Sequence, residues 1–91
     1  VANICTIRIV TGKIIAAYQG SNVSFLGRLQ SVKGRAYIFN TGDGAIKGIV
    51  HDSELREQLE VHSYFQLSGT CESFKLIFCI ILSIFQHVHI S

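Results

Sequence analysis

Residues 22–32 have the sequence NVSFLGRLQSV, and this stretch decides the fold class. Every second position in its first part is apolar or glycine, namely Val23, Phe25, Gly27 and Leu29. The positions between them are polar, with Leu26 as the exception. Because side chains of a strand point alternately to opposite faces, the pattern predicts a half-buried β-strand. Gly27 inside it predicts a bend or bulge, which lets a strand curl around the corner of a barrel.

The rest of the chain divides into short apolar runs and turns. We predict a helix over residues 10–18, a turn at 32–35, a second strand at 36–40, a tight turn at 41–44 and a third strand at 45–50. Asp52 or Ser53 would then cap a short helix, because an oxygen there accepts from the N–H groups of the first turn. A fourth strand would begin at Glu60 or Val61 and end at a turn over residues 72 and 73. A fifth would run from residue 75 to about residue 89.

This order of elements indicates a particular all-β fold with short helices. A five-stranded Greek-key barrel with a helix between strands three and four is the oligonucleotide-binding (OB) fold. The chain has 91 residues, which is enough for one domain and little more. We therefore expect residues 1–91 to form a single OB-fold domain.

The composition is too apolar for a small isolated domain. Hydrophobic residues make up 48% of the chain and charged residues 15%. Part of the excess indicates a surface that a partner covers. The apolar run near the C-terminus is the obvious place for it, and the predicted subunit interface consists of Leu76, Phe78, Ile80, Ile81, Leu82, Ile84 and Phe85. The alternative is that residues 76–85 associate with a membrane, although the run is half the ~20 residues that span a bilayer; we expect no membrane partner.

A nucleic-acid-binding face is the second candidate site. The net charge of +2 allows contact with a polyanion but does not argue for it. Basic side chains pair with phosphates and aromatic rings stack on unpaired bases, and in OB folds the oligonucleotide lies on strands two and three. The candidate residues are Arg28, Lys33, Arg35, Tyr37, Phe39 and Lys47. The alternative is that Tyr37 and Phe39 point into the barrel, which would leave only a weak basic rim.

No motif indicates catalysis, a metal site or a cofactor. Residues 42–44 read Gly-Asp-Gly, but a strand follows them where a phosphate-binding loop needs a helix, so we interpret them as a hairpin turn. His87 and His89 alternate on a strand but offer only two metal ligands. The cysteines Cys5, Cys71 and Cys79 are odd in number and lack metal-site spacing. They are expected to be free thiols in a reducing compartment.

Several of these stretches together resemble one family. Residues 25–29, Phe-Leu-Gly-Arg-Leu, resemble the first strand of the smallest subunit of eukaryotic replication protein A. Residues 14–18 are similar to the helix that leads into that strand, and residues 37–44 to the second strand and its acidic-glycine turn. Residues 67–69 followed by 77–79 are similar in spacing to the last two strands. The similarity extends from about residue 10 to residue 85.

The resemblance implies a nuclear, non-enzymatic protein of DNA replication, repair and recombination. In that family the small subunit is mainly a scaffold in a heterotrimer, whose partners are larger OB-fold subunits, and its contact with single-stranded DNA is weak or indirect. The subunits trimerise through C-terminal helices, whereas residues 86–91 of this chain hold no helical repeat. A paralogue that caps telomeres or associates with telomerase is similar in the same residues. Direct binding of single-stranded DNA by this chain is a further alternative.

Overall fold

The computed structural model describes residues 8–74 and 76–88. Within these ranges the chain forms six strands, β1 (Arg8–Ile9), β2 (Asn22–Lys33), β3 (Ala36–Asn40), β4 (Ala45–Ile49), β5 (Tyr64–Phe74) and β6 (Leu76–Val88). One α-helix, α1 (Ser53–Gln58), lies between β4 and β5, and a 3₁₀ turn at Ile15–Tyr18 precedes β2.

Strand β2 makes the sheet close on itself because it bends between two sets of neighbours. Its residues 22–28 pair antiparallel with β5, and its residues 28–33 pair antiparallel with β3. The ring continues from β3 through β4 and β6 to β5, with β4 and β6 parallel. The short β1 adds a parallel pairing at the start of β2. This closed sheet with a helix between its third and fourth long strands confirms the predicted OB-type barrel.

The barrel interior holds the residues that alternation assigned to it. Val23, Phe25 and Leu29 of β2 are almost fully buried, and Phe25 meets Phe39 edge-on with the ring centroids 5.4 Å apart. Such an edge-to-face pair contributes about 0.5–1.5 kcal/mol beyond burial of area. Gly27 suits this row because a Cβ there would make a tight contact of 3.1 Å with the Cβ of Phe39.

Helix α1 packs against the core in the way the sequence predicts. Asp52 is the N-cap, and its side chain accepts a hydrogen bond of 2.8 Å from the backbone N–H of Glu54. Leu55 and Leu59 are partly buried and pack against the core cluster.

Several predicted boundaries were wrong. Only residues 15–18 of the predicted first helix are helical, as a 3₁₀ turn, while Val10 donates its N–H to Ser24 and is buried. Of the bend or bulge expected at Gly27, the bend is present, because β2 passes from β5 to β3 at the adjacent Arg28, whereas the bulge lies between Leu29 and Ser31. The fourth strand begins at Tyr64, because residues 61 and 62 form a turn.

The hairpin between β5 and β6 is longer than predicted. Glu72 pairs with Phe78 and Ser73 with Ile77, so the expected turn at residues 72 and 73 is part of the ladder. The strand predicted from residue 75 to about 89 is β6, and Lys75 and His89 lie outside the described residues. The part of the chain that the structure describes contains no helix with the length and hydropathy of a membrane span.

The turn at residues 41–44 is a tight hairpin turn, as predicted. Thr41 donates its N–H to the carbonyl of Gly44 over 2.9 Å, and Gly42 adopts φ +96°. Gly44 serves a different purpose, since a Cβ there would lie 3.0 Å from the carbonyl carbon of Gly12. The Thr11 hydroxyl donates to Asp43 over 2.7 Å and lowers the pKa of that carboxyl. The turn is therefore tied to the segment before β2.

Candidate nucleic-acid interface and docking surface

The predicted basic residues lie along the outer face of β2, β3 and β4. Lys33 pairs with Ala36 at one end of β3, where Arg35 occupies the exposed turn. Lys47 of β4 pairs with Ile38 in the middle, and Arg28 is opposite Asn40 at the other end. Four steps along β3 separate the two ends, which is about 13 Å. The structure thus spreads the cations along one face instead of clustering them.

The two aromatic residues predicted for base stacking are in the core. Phe39 is fully buried against Phe25, and Tyr37 is 8% exposed. They share a strand face, as alternation requires, and it is the inner face. Neither ring can therefore stack on a base, and Tyr37 and Phe39 are removed from the candidate interface.

A different aromatic residue lies beside the outer face. Tyr64, the first residue of β5, is directly opposite Arg28 of β2 and is half-buried. It lines an open groove of about 310 Å³, together with Leu26, Arg28, Asn40, Thr41 and Gly42. Sequence reasoning missed Tyr64, although it alternates with the buried Phe65 and so had to be on the outer face.

The Arg28 side chain is held in this groove by one residue. Its Nε donates to the carbonyl oxygen of His62 at 3.3 Å, and its Nη2 lies 3.1 Å from His62 Nδ1. His62 has φ +76°, a left-handed conformation that is rare for a residue with a side chain. Its own N–H donates to the carbonyl of Leu29 over 2.7 Å, which ties the turn to β2. The guanidinium is therefore exposed but oriented.

The predicted subunit interface divides into three groups. Ile81 is buried and so is not available to a partner, while Ile84 is partly buried and packs against the core. Phe78 and Ile80 are half-buried, and Leu82 and Phe85 are 61% and 55% exposed. Leu76 pairs through its backbone with Phe74, and its side chain lies outside the described residues.

Two irregularities in β6 explain why Leu82 and Phe85 are both exposed. The β5–β6 register shifts between Ser68 and Gly69 and again between Gln66 and Leu67. At each shift β6 contains one residue more than β5, and these extra residues are Leu82 and Phe85. Bulged residues leave the regular alternation, so two apolar side chains three positions apart both reach the outer surface.

One edge of β6 is open beside these residues. Strand β4 pairs with β6 only at Cys79 and Ile80, whereas β5 pairs with it as far as Val88. From Ile81 onwards, no strand among residues 8–74 and 76–88 pairs with the other edge. Such an edge carries backbone N–H and C=O groups that another strand can bind.

The two described cysteines are structural. Cys71 and Cys79 are directly opposite each other on β5 and β6, and both are fully buried free thiols, as predicted. Burial raises the pKa of both thiols, that of Cys79 to about 12. Cys5 lies outside the described residues.

We expect Cys71 and Cys79 to resist alkylation by iodoacetamide in the native protein at about pH 8, since the thiolate is the reactive form. Both should react rapidly in urea, and mass spectrometry of the digested protein will distinguish them from Cys5. The raised pKa of Cys79 also stabilises the fold below the ordinary pKa of 9.0, and this contribution disappears as the pH rises to about 12. Rapid native modification of Cys79 would contradict its burial.

No cluster of three metal-ligating side chains is present in the described ranges. His87 belongs to β6, but its side chain is outside what the structure describes.

Comparisons with known proteins agree with this architecture. No protein-family model matches the sequence, and no curated protein sequence matches it. Among solved structures, the telomere capping protein Ten1 from Saccharomyces pombe is 18% identical with a TM-score of 0.72, over 87% of this chain and 79% of that one. U. maydis replication protein A bound to single-stranded DNA is 17% identical with a TM-score of 0.70, over 91% and 73%. The S. pombe Stn1–Ten1 complex contains a chain that is 16% identical with a TM-score of 0.64, over 87% and 74%. At these identities the likeness shows the fold, and the chain is an OB-fold barrel.

Proposed function

We propose that this protein is a non-catalytic assembly subunit of a heteromeric, single-stranded-DNA-binding complex of the replication protein A type. Its role would be in DNA replication, repair and recombination in the nucleus. The observation that carries the proposal is the pair of exposed apolar side chains, Leu82 and Phe85, beside the open edge of β6.

This surface has the properties of a docking site. Burying an apolar side chain of this size contributes about 1.5–3 kcal/mol, so two of them favour association substantially. The open edge adds backbone hydrogen bonds if a partner contributes a strand, a common mode of recognition. Leu82, Phe85 and the open edge belong to the same stretch of β6, so one partner can contact the side chains and pair with the edge.

The outer face of β3 and β4 supports a scaffold more than a strong DNA binder. Its half-buried residues include Ile38 and Ile49, with Lys47 between them, and its aromatic residues point inward. One ring, that of Tyr64, lies beside the end of this face. Apart from Tyr64, the described part of the face lacks the stacking platforms on which single strands usually lie.

The comparisons with solved structures support a complex of OB-fold subunits that acts on single-stranded DNA or telomeres. Ten1 is described as a telomere capping protein and occurs in a complex with Stn1, and replication protein A was solved bound to single-stranded DNA. The resemblance of residues 25–29 to the smallest subunit of replication protein A favours the replication role. The likeness to Ten1 makes a telomere-capping or telomerase-associated role the alternative.

Affinity purification of the tagged protein from its own cells tests the proposal and the alternative. We expect a larger OB-fold protein in the eluate, and its identity decides between replication and telomere complexes. The isolated chain should also associate at micromolar concentration in sedimentation velocity. A clean monomer that captures no OB-fold partner would end the proposal.

A second candidate function is direct binding of single-stranded DNA. The cations Arg28, Lys33, Arg35 and Lys47 form a row along one face, which favours contact with a phosphate backbone. Affinity for an oligothymidine should then fall with salt, with a slope of log K against log[salt] of about −3 if four phosphates are contacted. Absence of measurable binding at low salt would remove this function.

A further inference from the structure

We propose that the groove where the middle of β2 meets the start of β5 and the end of β3 binds one nucleotide of a single strand. The base would lie on the Tyr64 ring and the adjoining phosphate on the Arg28 guanidinium. The proposal rests on the direct-binding function and names a subsite for it. This subsite is at the opposite end of β3 from the turn that carries Arg35.

Three strands place the necessary groups side by side. Arg28 is at the one position of β2 that pairs with both neighbours, with Tyr64 of β5 on one side and Asn40 of β3 on the other. All three point outward, because Gly27 and Leu29 face the core. An aromatic ring, a cation and an amide therefore line up across the groove. These groups match the ring face, phosphate and polar edge of a nucleotide.

The guanidinium is prepared for an anion from outside the chain. Within residues 8–74 and 76–88 it forms no ion pair with a carboxylate, and its hydrogen bonds go to His62. Those two bonds fix its position and leave donors on the same planar group for a phosphate. The left-handed backbone at His62 is the kind of local strain that concentrates at functional sites.

The side chain of Asn40 offers a hydrogen-bond donor to a ligand in the groove. Its side-chain oxygen accepts a 2.8 Å hydrogen bond from the N–H of Gly42, so the side-chain NH₂ is turned the other way. No described residue accepts a hydrogen bond from this NH₂ group. It can donate to a carbonyl oxygen or ring nitrogen at the edge of a base.

The remaining walls are compatible with a sugar and base. Leu26 is 57% exposed and provides an apolar wall, and residues 41 and 42 provide the floor near the turn. The nearby carboxylate of Asp43 accepts hydrogen bonds from the hydroxyls of Thr11 and Thr41. The groove of about 310 Å³ is at the small end of the range for ligand sites, which suits one nucleotide.

Titration of the ¹⁵N-labelled protein with an oligothymidine of about eight nucleotides, within the site size of one OB fold, locates the contact directly. We expect the amides of Arg28, Asn40, Gly42 and Tyr64 to shift. The chain has three tyrosines and no tryptophan, so stacking on Tyr64 should also quench part of the intrinsic tyrosine fluorescence. Inorganic phosphate and a polyglutamate peptide are the comparison probes. Equal shifts with either would mean a general anion site and would overturn the nucleotide assignment.

Variants test each role separately. Tyr64→Ala should weaken oligothymidine binding about tenfold or more, while Tyr64→Phe keeps the ring and should stay within about twofold. Arg28→Gln should reduce the salt slope by about 0.7. Arg56→Gln is the matched control, because Arg56 is an exposed residue of α1 outside both the groove and the row of cations, and it should leave the affinity and the tyrosine quenching unchanged. Thermal unfolding verifies that each variant is folded. If Tyr64→Ala does not fold, the amide shifts of the wild-type protein decide whether the groove is the binding site.

The outcomes distinguish failure of the groove proposal from failure of direct binding of single-stranded DNA. If the wild type binds the oligothymidine but Tyr64→Ala and Arg28→Gln bind equally well, the groove proposal fails and direct binding stands. If the wild type shows neither binding nor amide shifts at low salt, direct binding itself fails.

Discussion

A Gly69→Val variant will have a strongly destabilised barrel. Gly69 pairs with Val23 of β2 on one side and with Ile81 of β6 on the other. Any Cβ at this position would overlap the carbonyl oxygen of Ile80 and lie 2.8 Å from its carbonyl carbon and 3.0 Å from Cys79 Sγ. Backbone atoms of a ladder cannot move away without breaking it, so we expect a loss of about 3 kcal/mol or more, a large part of the stability of a small domain. Urea denaturation followed by circular dichroism measures the loss.

Gly20→Ala is the matched control. Gly20 has φ +82°, but nothing lies within 4 Å of a Cβ added there. Its replacement should cost only about 1–2 kcal/mol, from the left-handed backbone alone. If Gly69→Val were as stable as Gly20→Ala, the close approach of β5 and β6 at this bulge would be disproved.

A Leu82→Asp, Phe85→Asp double variant will lose association while remaining folded. Both side chains are more than half exposed in the barrel, so their replacement removes little of its core. In a complex each would contribute about 1.5–3 kcal/mol by burial, so association should weaken about hundredfold or more. Sedimentation velocity and recovery of the OB-fold partner both report this change.

Val61→Asp controls for the effect of a new charge on an exposed apolar position. Val61 is 44% exposed in the turn before β5, and it is not among the residues that pair with β6. It should associate like the wild type. A double variant that associates normally, or a Val61→Asp variant that loses the partner, would show that β6 is not the docking surface.

Local patterns predicted most of the barrel. The period of two in residues 22–32 identified the inner row of β2, and the strand predicted over 36–40 is β3 as observed. The helix between the third and fourth long strands and its Asp52 cap also follow from nearby residues. These features depend on backbone geometry and short-range hydrogen bonds, so a few consecutive residues contain the information.

The candidate sites were less predictable because they depend on strand pairing. Alternation shows that Tyr37 and Phe39 share a face, but only packing of β3 against β2 and β4 makes that face the interior. Leu82 and Phe85 look like ordinary members of an apolar strand until the register shifts against β5 bring both to the surface.

The amino-acid sequence by itself determined the class of this protein, a small β-barrel with an apolar C-terminal strand and a modest positive charge. Only the tertiary structure brought Arg28 next to Tyr64, thirty-six positions further along the chain, and fixed the guanidinium on His62. The physical reason is that alternation is a property of one strand, whereas register arises between strands that are distant in sequence.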